Sequence, residues 1–198
     1  MAVHVQEIDD DIFTVTEVLS AGECQELIEL AESLGFQPAS VRTSDGPKMM
    51  TTVRNNDRVV HVDDQLANLL WHRIHHVLPV LDGAHACGVD CQLRFYRYVP
   101  GQRFNRHKDG FTTDSHGHQS KLSFLIYLNE DCDGGATTFF LGYQVVNEQR
   151  VKQEHVIRPT LGSALLFRHE RWHEGTPVLS GRKYVLRTDV FYSSSADK

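Results

Sequence analysis

From about residue 88 onward the chain breaks into short β-forming runs: "CQLRFYRYV", "KLSFLIYLN", "ATTFFLG", "RVKQEHVIR", "SALLFRH", "WHEGTPV" and "RKYVLRTDVFY". Turn chemistry separates them at Pro100-Gly101, Asp133-Gly134-Gly135, Pro159 with Gly162, and Ser180-Gly181. Turns recurring every 8 to 15 residues or so leave no room for the helical crossovers that parallel strands need. The strands must therefore pair antiparallel, and burying their apolar faces requires a sandwich or a barrel.

Upstream of this region the period changes to that of helices. Ser20 opens "AGECQELIELAESLGF", and Glu23 three residues later completes a capping box. Leu27, Ile28, Leu30, Ala31 and Leu34 recur at helical spacing until Gly35 stops the run. A second helix is expected in "DDQLANLLWHRIHHVLP", ended by Pro79. Between the two, "PKMMTTVRNNDRVVHVDD" reads as a short strand followed by a polar loop. The expectation is an α+β, mainly β, single domain over residues 1–198. Residues 1–87 would form a helical support and residues 88–198 a β core.

Composition narrows the function. The formal charge of −6 offers no basic face for nucleic acid, and no apolar run approaches the ~20 residues of a membrane span. The acidic start "MAVHVQEIDDD" lacks the basic and apolar regions of a secretory signal, so the cytoplasm is the expected location. Cys87 and Cys91 are spaced neither as a redox pair nor as a zinc pair. With Cys24 and Cys132 they read as reduced thiols without a role.

Twelve histidines in 198 residues are the more telling count. Two His-x-Asp pairs occur, His61-Val62-Asp63 and His107-Lys108-Asp109, and composition alone would produce about one or two. Asp63 and Asp64 precede the second helix and suit its cap, which gives the first pair a structural use. The second pair lies at a strand end in the β half, where side chains two apart share a face. A third ligand must come from another strand, and "HERWHEGTPV" offers His169 and His173, with His173 favoured because it heads a strand. Two imidazoles and a carboxylate suit a non-haem iron(II) facial triad, with zinc as the competitor. The string HERWH matches the zinc-protease motif but sits where a helix does not fit.

From about Tyr96 to Tyr192 the chain resembles the iron(II)/2-oxoglutarate oxygenase superfamily, and its prolyl 4-hydroxylase-like branch in particular. The resemblance rests on Gly101-Gln102, Phe104, His107, Asp109, Tyr127-Leu128-Asn129, Gly134-Gly135, Thr137, Phe139, Gly162, Ala164-Leu165, Phe167, His173, Gly175, Pro177-Val178, Gly181 and Lys183-Tyr184. It implies a double-stranded β-helix, or jelly-roll, core braced by the N-terminal helices. It implies Fe(II) held by His107, Asp109 and His173, with 2-oxoglutarate and O2 as co-substrates and ascorbate as an auxiliary reductant. The implied reaction hydroxylates an unactivated C–H bond of a prolyl, peptidyl or amino-acid-like substrate and releases succinate and CO2.

The same resemblance makes Lys183 the anchor for the far carboxylate of 2-oxoglutarate, with Tyr98 or Thr138 as a hydroxyl partner. Where some relatives carry a tyrosine on the "YLN" strand, this chain has Ile126. If Lys183 points inward, period two brings Val185, Arg187 and Asp189 to the same side and sends Arg182 to the other. Arg187 is then expected to meet a substrate carboxylate or a protein acid, the other reading being a surface pair with Asp189. Arg94, Tyr96 and Asn55, with Arg54 and Asn56, are further substrate candidates, and "FTTDSHGHQS" is a candidate lid. A small molecule or a peptide is the expected partner. A non-catalytic metal-binding jelly-roll and a zinc-dependent hydrolase are the competing classes; oligomeric state is not legible.

Overall fold

The computed structural model describes residues 3–43, 46–48, 50, 52–146 and 148–193. Its main elements are β1 (His4–Asp9), β2 (Ile12–Thr16), α1 (Ala21–Leu34), β3 (Asp57–Val62), α2 (Asp64–Ile74), β4 (His85–Val89), β5 (Gln92–Tyr98), β6 (Phe104–His107), β7 (Gln119–Tyr127), β8 (Thr137–Val146), β9 (Gln149–Ile157), β10 (Ala164–Arg168), β11 (His173–Gly175) and β12 (Lys183–Ser193). A nine-stranded sheet runs β1-β2-β10-β7-β12-β5-β3, then the short strand Gln37–Pro38, with β4 alongside the far end of β12. A four-stranded sheet in the order β9-β8-β11-β6 faces it. Every pairing in both is antiparallel, and together they form the expected jelly-roll.

The central strands of the large sheet, β7, β10 and β12, are buried on both faces, which explains why they read as nearly continuous apolar runs. On β12, Tyr184, Leu186, Val190 and Tyr192 join Cys24, Leu27 and Ala31 of α1 and Leu70 and Ile74 of α2 in one core. Val185 faces the other way, into a second core with Tyr96, Tyr98, Phe139, Leu165 and Phe167. β7 divides likewise, with Phe124 and Ile126 toward the helices and Leu125 and Tyr127 toward the second core. The helical layer thus fixes one face of the sheet so that the other can carry a site.

Local signals position that layer. Ser20 Oγ accepts the Glu23 N–H at 3.3 Å while the Glu23 carboxylate accepts the Ser20 N–H at 2.8 Å, closing the capping box. Glu23 also receives Arg73 of α2 at 2.6 Å, tying the two helices together. Asp63 Oδ1 caps α2 by accepting the Leu66 N–H at 2.9 Å. Gly162, at φ +71°, lets the turn before β10 close against the backbone ahead of α1; a Cβ there would lie 2.0 Å from Leu19 O.

The N-terminal region contributes more than helices. β1 and β2 extend the large sheet beyond β10, and β3 pairs with β5. In the segment between the helices a short strand, Gly46–Lys48, and the polar Arg54 loop follow in the expected order, and a second strand, Asp57–Val62, comes after them. Pairing with β5 decides this: Val59 packs against the helical core while Val60 and Val62 face solvent. No described helix is long and apolar enough to cross a membrane.

Candidate active site

His107 closes β6 and His173 opens β11, and the two are directly opposed across that pair of strands. Opposed residues on antiparallel strands project to one face at close range, so register alone brings the two rings together. Asp109, two residues after His107, completes the group, and one ligand atom from each of the three lies within 4.8 Å of the others. His107 Nε2 is 3.6 Å from Asp109 Oδ1, and His173 Nε2 is 3.7 Å from Asp109 Oδ2.

The tautomers follow from the backbone. His107 Nδ1 meets Asn105 O at 2.8 Å and His173 Nδ1 meets Arg171 O at 3.0 Å. A carbonyl only accepts, so each Nδ1 carries the proton and each Nε2 presents a lone pair toward Asp109. Phe104 stacks on His107 with ring centroids 3.5 Å apart, and Phe167 packs edge-on against His173 at 4.6 Å. Burial pushes the His173 imidazole down to about 4. Asp109 is held well below the usual carboxylate range: burial opposes this, but Arg187, His173 and His107 prevail. His173 therefore stands neutral beside an ionised Asp109, the protonation state that metal binding needs of these two ligands.

A buried hydrogen-bond line aims that carboxylate. Ser123 Oγ donates to Asp109 Oδ2 at 2.6 Å, having one proton to give. His169 Nδ1, 2.9 Å from Ser123 Oγ, must then be the donor to that hydroxyl. His169 Nε2 consequently accepts from Ser120 Oγ at 2.9 Å, and Ser120 Oγ accepts the Thr112 N–H at 2.9 Å. Arg187 adds a guanidinium Nη2 at 3.3 Å from Asp109 Oδ2.

At the other end of the same cavity lies Lys183, 3% exposed. Its Nζ donates to Gly135 O at 2.5 Å and stands over the rings of Tyr98 and Tyr127 at 5.4 and 5.3 Å. No carboxylate pairs with it among the described residues, and burial pushes its amine down to about 8. A buried cation without a counter-ion calls for an anion supplied from outside.

A profile described as the 2OG-Fe(II) oxygenase superfamily matches residues 93–188, the stretch that supplies all four of these side chains. Residues 93–188 belong to that superfamily. Solved structures similar to this oxygenase include a viral collagen prolyl hydroxylase from Paramecium Bursaria Chlorella virus-1, with 20% identity, TM-score 0.62, and coverage of 92% of this chain and 96% of that one. A Pseudomonas putida prolyl-4-hydroxylase shows 22% identity and TM-score 0.63 over 91% of this chain and 92% of its own. A Trichoplax adhaerens prolyl hydroxylase, solved with a hypoxia inducible factor peptide fragment, shows 17% identity and TM-score 0.67 over 92% and 84%. At these identities the likeness establishes a shared fold. No curated protein matches the sequence.

The residues present fit what the family requires: Nε2 lone pairs and a carboxylate aimed at one point, and an uncompensated buried lysine beyond them. Of the other residues singled out in the sequence, Tyr98, Tyr96 and Arg187 line the cavity. Thr138 does not; strand alternation on β8 turns its neighbour Thr137 inward, where Thr137 Oγ1 accepts the Tyr127 hydroxyl at 2.9 Å. Ile126 faces the helices, and Tyr127 brings a tyrosine ring to the lysine end. Asn55 is exposed and pins the backbone of Arg103 instead of facing the cavity. Arg94 stands behind the wall, paired with Asp189 at 3.0 Å. Arg182 is exposed, as alternation requires.

Arg187 meets protein acids, Asp109 at 3.3 Å and Asp189 at 3.1 Å, and Asp189 is fully buried, which removes the surface-pair reading. HERWH lies in a turn running into β11, not in a helix. The segment 111–120 forms a hydrogen-bonded loop in which Asp114 Oδ1 accepts the His116 and His118 N–H groups. Sequence reasoning overlooked Ser120 and Ser123, whose only local signal is a small polar residue inside an otherwise apolar strand, and gave Thr137 no role beyond its place in the motif.

Proposed function

We propose that this dioxygenase hydroxylates an unactivated C–H bond of a prolyl or other peptide-borne side chain, or of an amino acid resembling one. In this reading His107, Asp109 and His173 hold Fe(II), and Lys183 binds the far carboxylate of 2-oxoglutarate with help from Tyr98. The bound iron and 2-oxoglutarate supply the oxidising chemistry, with succinate and CO2 as the co-products. The chain's own part is to orient and enclose. Ser123 and Arg187 fix the Asp109 carboxylate, Asn105 and Arg171 carbonyls fix the imidazoles, and Tyr98, Phe104 and Val185 wall the cavity against water.

The observation that carries the reading is the pairing of the triad with an uncompensated Lys183 across one cavity. A zinc hydrolase or a metal-binding module has no use for that lysine. The peptide substrate is supported by the Trichoplax relative, whose structure contains one. The reading extends to one domain spanning 1–87 as support and 88–198 as core, and to work in the cytoplasm, where Cys24, Cys91 and Cys132, none of them in a disulfide, are at home. Ascorbate is carried over from the resemblance alone.

Anaerobic titration with Fe(II) and 2-oxoglutarate tests the proposal. A visible charge-transfer band is expected in the wild type, lost in His173→Ala and weakened in Lys183→Ala. Binding of zinc without 2-oxoglutarate would refute it.

A further inference from the structure

Beside the triad, the described arginines outnumber the described carboxylates that pair with them. Four arginines gather around Tyr96, whose ring lines the cavity. The Arg54 guanidinium carbon is 4.8 Å from that ring centroid, and Arg58 is the residue paired with Tyr96 across β3 and β5. Arg94 precedes Tyr96 by two on the same face of β5, and Arg187 sits directly opposite Arg94 on β12. Like charges opposed across strands repel, and a single acid, Asp189, bridges this pair at 3.0 and 3.1 Å. Asp90 approaches Arg94 only at 3.8 Å.

Arg54 and Arg58 hydrogen-bond to neutral oxygens, Asn56 Oδ1 at 3.0 Å and Ser40 Oγ at 3.3 Å. Arg54 is 5% exposed, its Nη2 is buried without a hydrogen-bond partner, and so is Arg187 Nε on the cavity wall. Burying guanidinium groups with donors unmet and like charges adjacent is costly unless something pairs with them. The crowding shows in Arg58, pushed below its ordinary value by burial and by Arg54, Arg94 and Arg187. Once a metal shares Asp109, as the preceding reading requires, Asp189 is the one described carboxylate that Arg187 does not share with the metal, and Arg94 shares it.

We propose that the substrate carries a carboxylate, seated against Arg187 and Tyr96 within the field of Arg54 and Arg58, and that this charge selects it. The inference rests on the oxygenase reading and deepens it. Two sources present this chemistry: the α-carboxylate of a free amino acid or C-terminal residue, and an acidic side chain next to the target in a peptide.

The test loads the enzyme with Mn(II) and 2-oxoglutarate, which occupies the site without turnover, and follows probe binding by calorimetry. One set pairs N-acetyl amino acids, proline among them, with their primary amides. A second pairs the N-acetyl amides of aspartate and glutamate with those of asparagine and glutamine. In at least one set the acid is expected to bind about tenfold tighter than its neutral partner, the scale of one charge-assisted hydrogen bond. The set that shows the preference identifies the source. Arg54→Gln and Arg58→Gln should each shrink that ratio, with 2-oxoglutarate affinity read in the same cell as the check on folding. Arg58, half-buried, keeps the test alive if Arg54→Gln does not fold. Equal affinities in both sets, no acid binding at all, or a ratio unchanged in the folded variants would overturn the inference. Failure of 2-oxoglutarate itself to bind appears before any probe is added, and refutes the oxygenase reading together with this one.

Discussion

Replacing Ser123 with alanine removes one hydroxyl from a strand interior where the residue is fully buried. That hydroxyl donates the 2.6 Å hydrogen bond to Asp109 Oδ2 and accepts from His169 Nδ1 at 2.9 Å. Two effects follow. The carboxylate loses its shortest neutral donor, leaving Arg187 at 3.3 Å to rotate it, and the imidazole N–H is left buried without an acceptor. A hydrogen bond to a charged group contributes about 1.5–3 kcal/mol, and an orphaned buried donor costs about 1–3 kcal/mol. Stability should therefore fall by about 2.5–6 kcal/mol, measured by urea denaturation of the metal-free protein. Metal affinity should fall independently by about 10–100-fold, the usual effect of losing an outer-shell partner of a ligand. Co(II) titration under nitrogen, followed by its ligand-field spectrum, reads that quantity on folded protein. Ser120→Ala, at the far end of the His169 line, should lose stability with a smaller change in metal affinity. If Ser123→Ala is destabilised but binds Co(II) as tightly as the wild type, the hydroxyl merely fills space and the orienting argument is wrong.

Other perturbations separate the remaining parts of the structure. Lys183, with its amine pushed down to about 8 by burial, must be protonated to pair with a carboxylate, so 2-oxoglutarate affinity should decline as pH rises through that value. Calorimetric titrations across the alkaline range check this, and Lys183→Arg should move the loss to higher pH. Asp63→Ala should cost about 1 kcal/mol through the lost α2 cap while leaving metal affinity unchanged, whereas Asp109→Ala should abolish metal binding. Gly162→Ala forces a Cβ to 2.0 Å from Leu19 O at a left-handed backbone position, and should lower stability by about 2–4 kcal/mol in thermal unfolding.

Much of this protein is set by interactions within a few residues, and that much is legible in the sequence. Ser20 with Glu23 and Asp63 with Leu66 set the helix starts through contacts three residues apart. The alternation of β12 separates Tyr184 and Leu186 from Lys183, Val185 and Arg187 without reference to any other strand. The spacing of His107 and Asp109 puts both on one side of one segment.

Strand register is a different kind of information, since sliding a strand by one residue reverses every side chain while leaving its local pattern intact. Pairing of His173 with His107 across β11 and β6 decides which imidazole stands beside Asp109; His169, four residues earlier, turns into Ser120 and Ser123 instead. Register also turns Thr137 inward in place of Thr138, and opposes Arg94 to Arg187. The exposed, polar strand His4–Asp9 exists because β2 pairs with it, and β2 is in turn held by β10, far along the chain. What the sequence determined alone is therefore the faces of individual segments. The tertiary structure decided which faces meet, because that depends on hydrogen-bonded partners far apart in the chain.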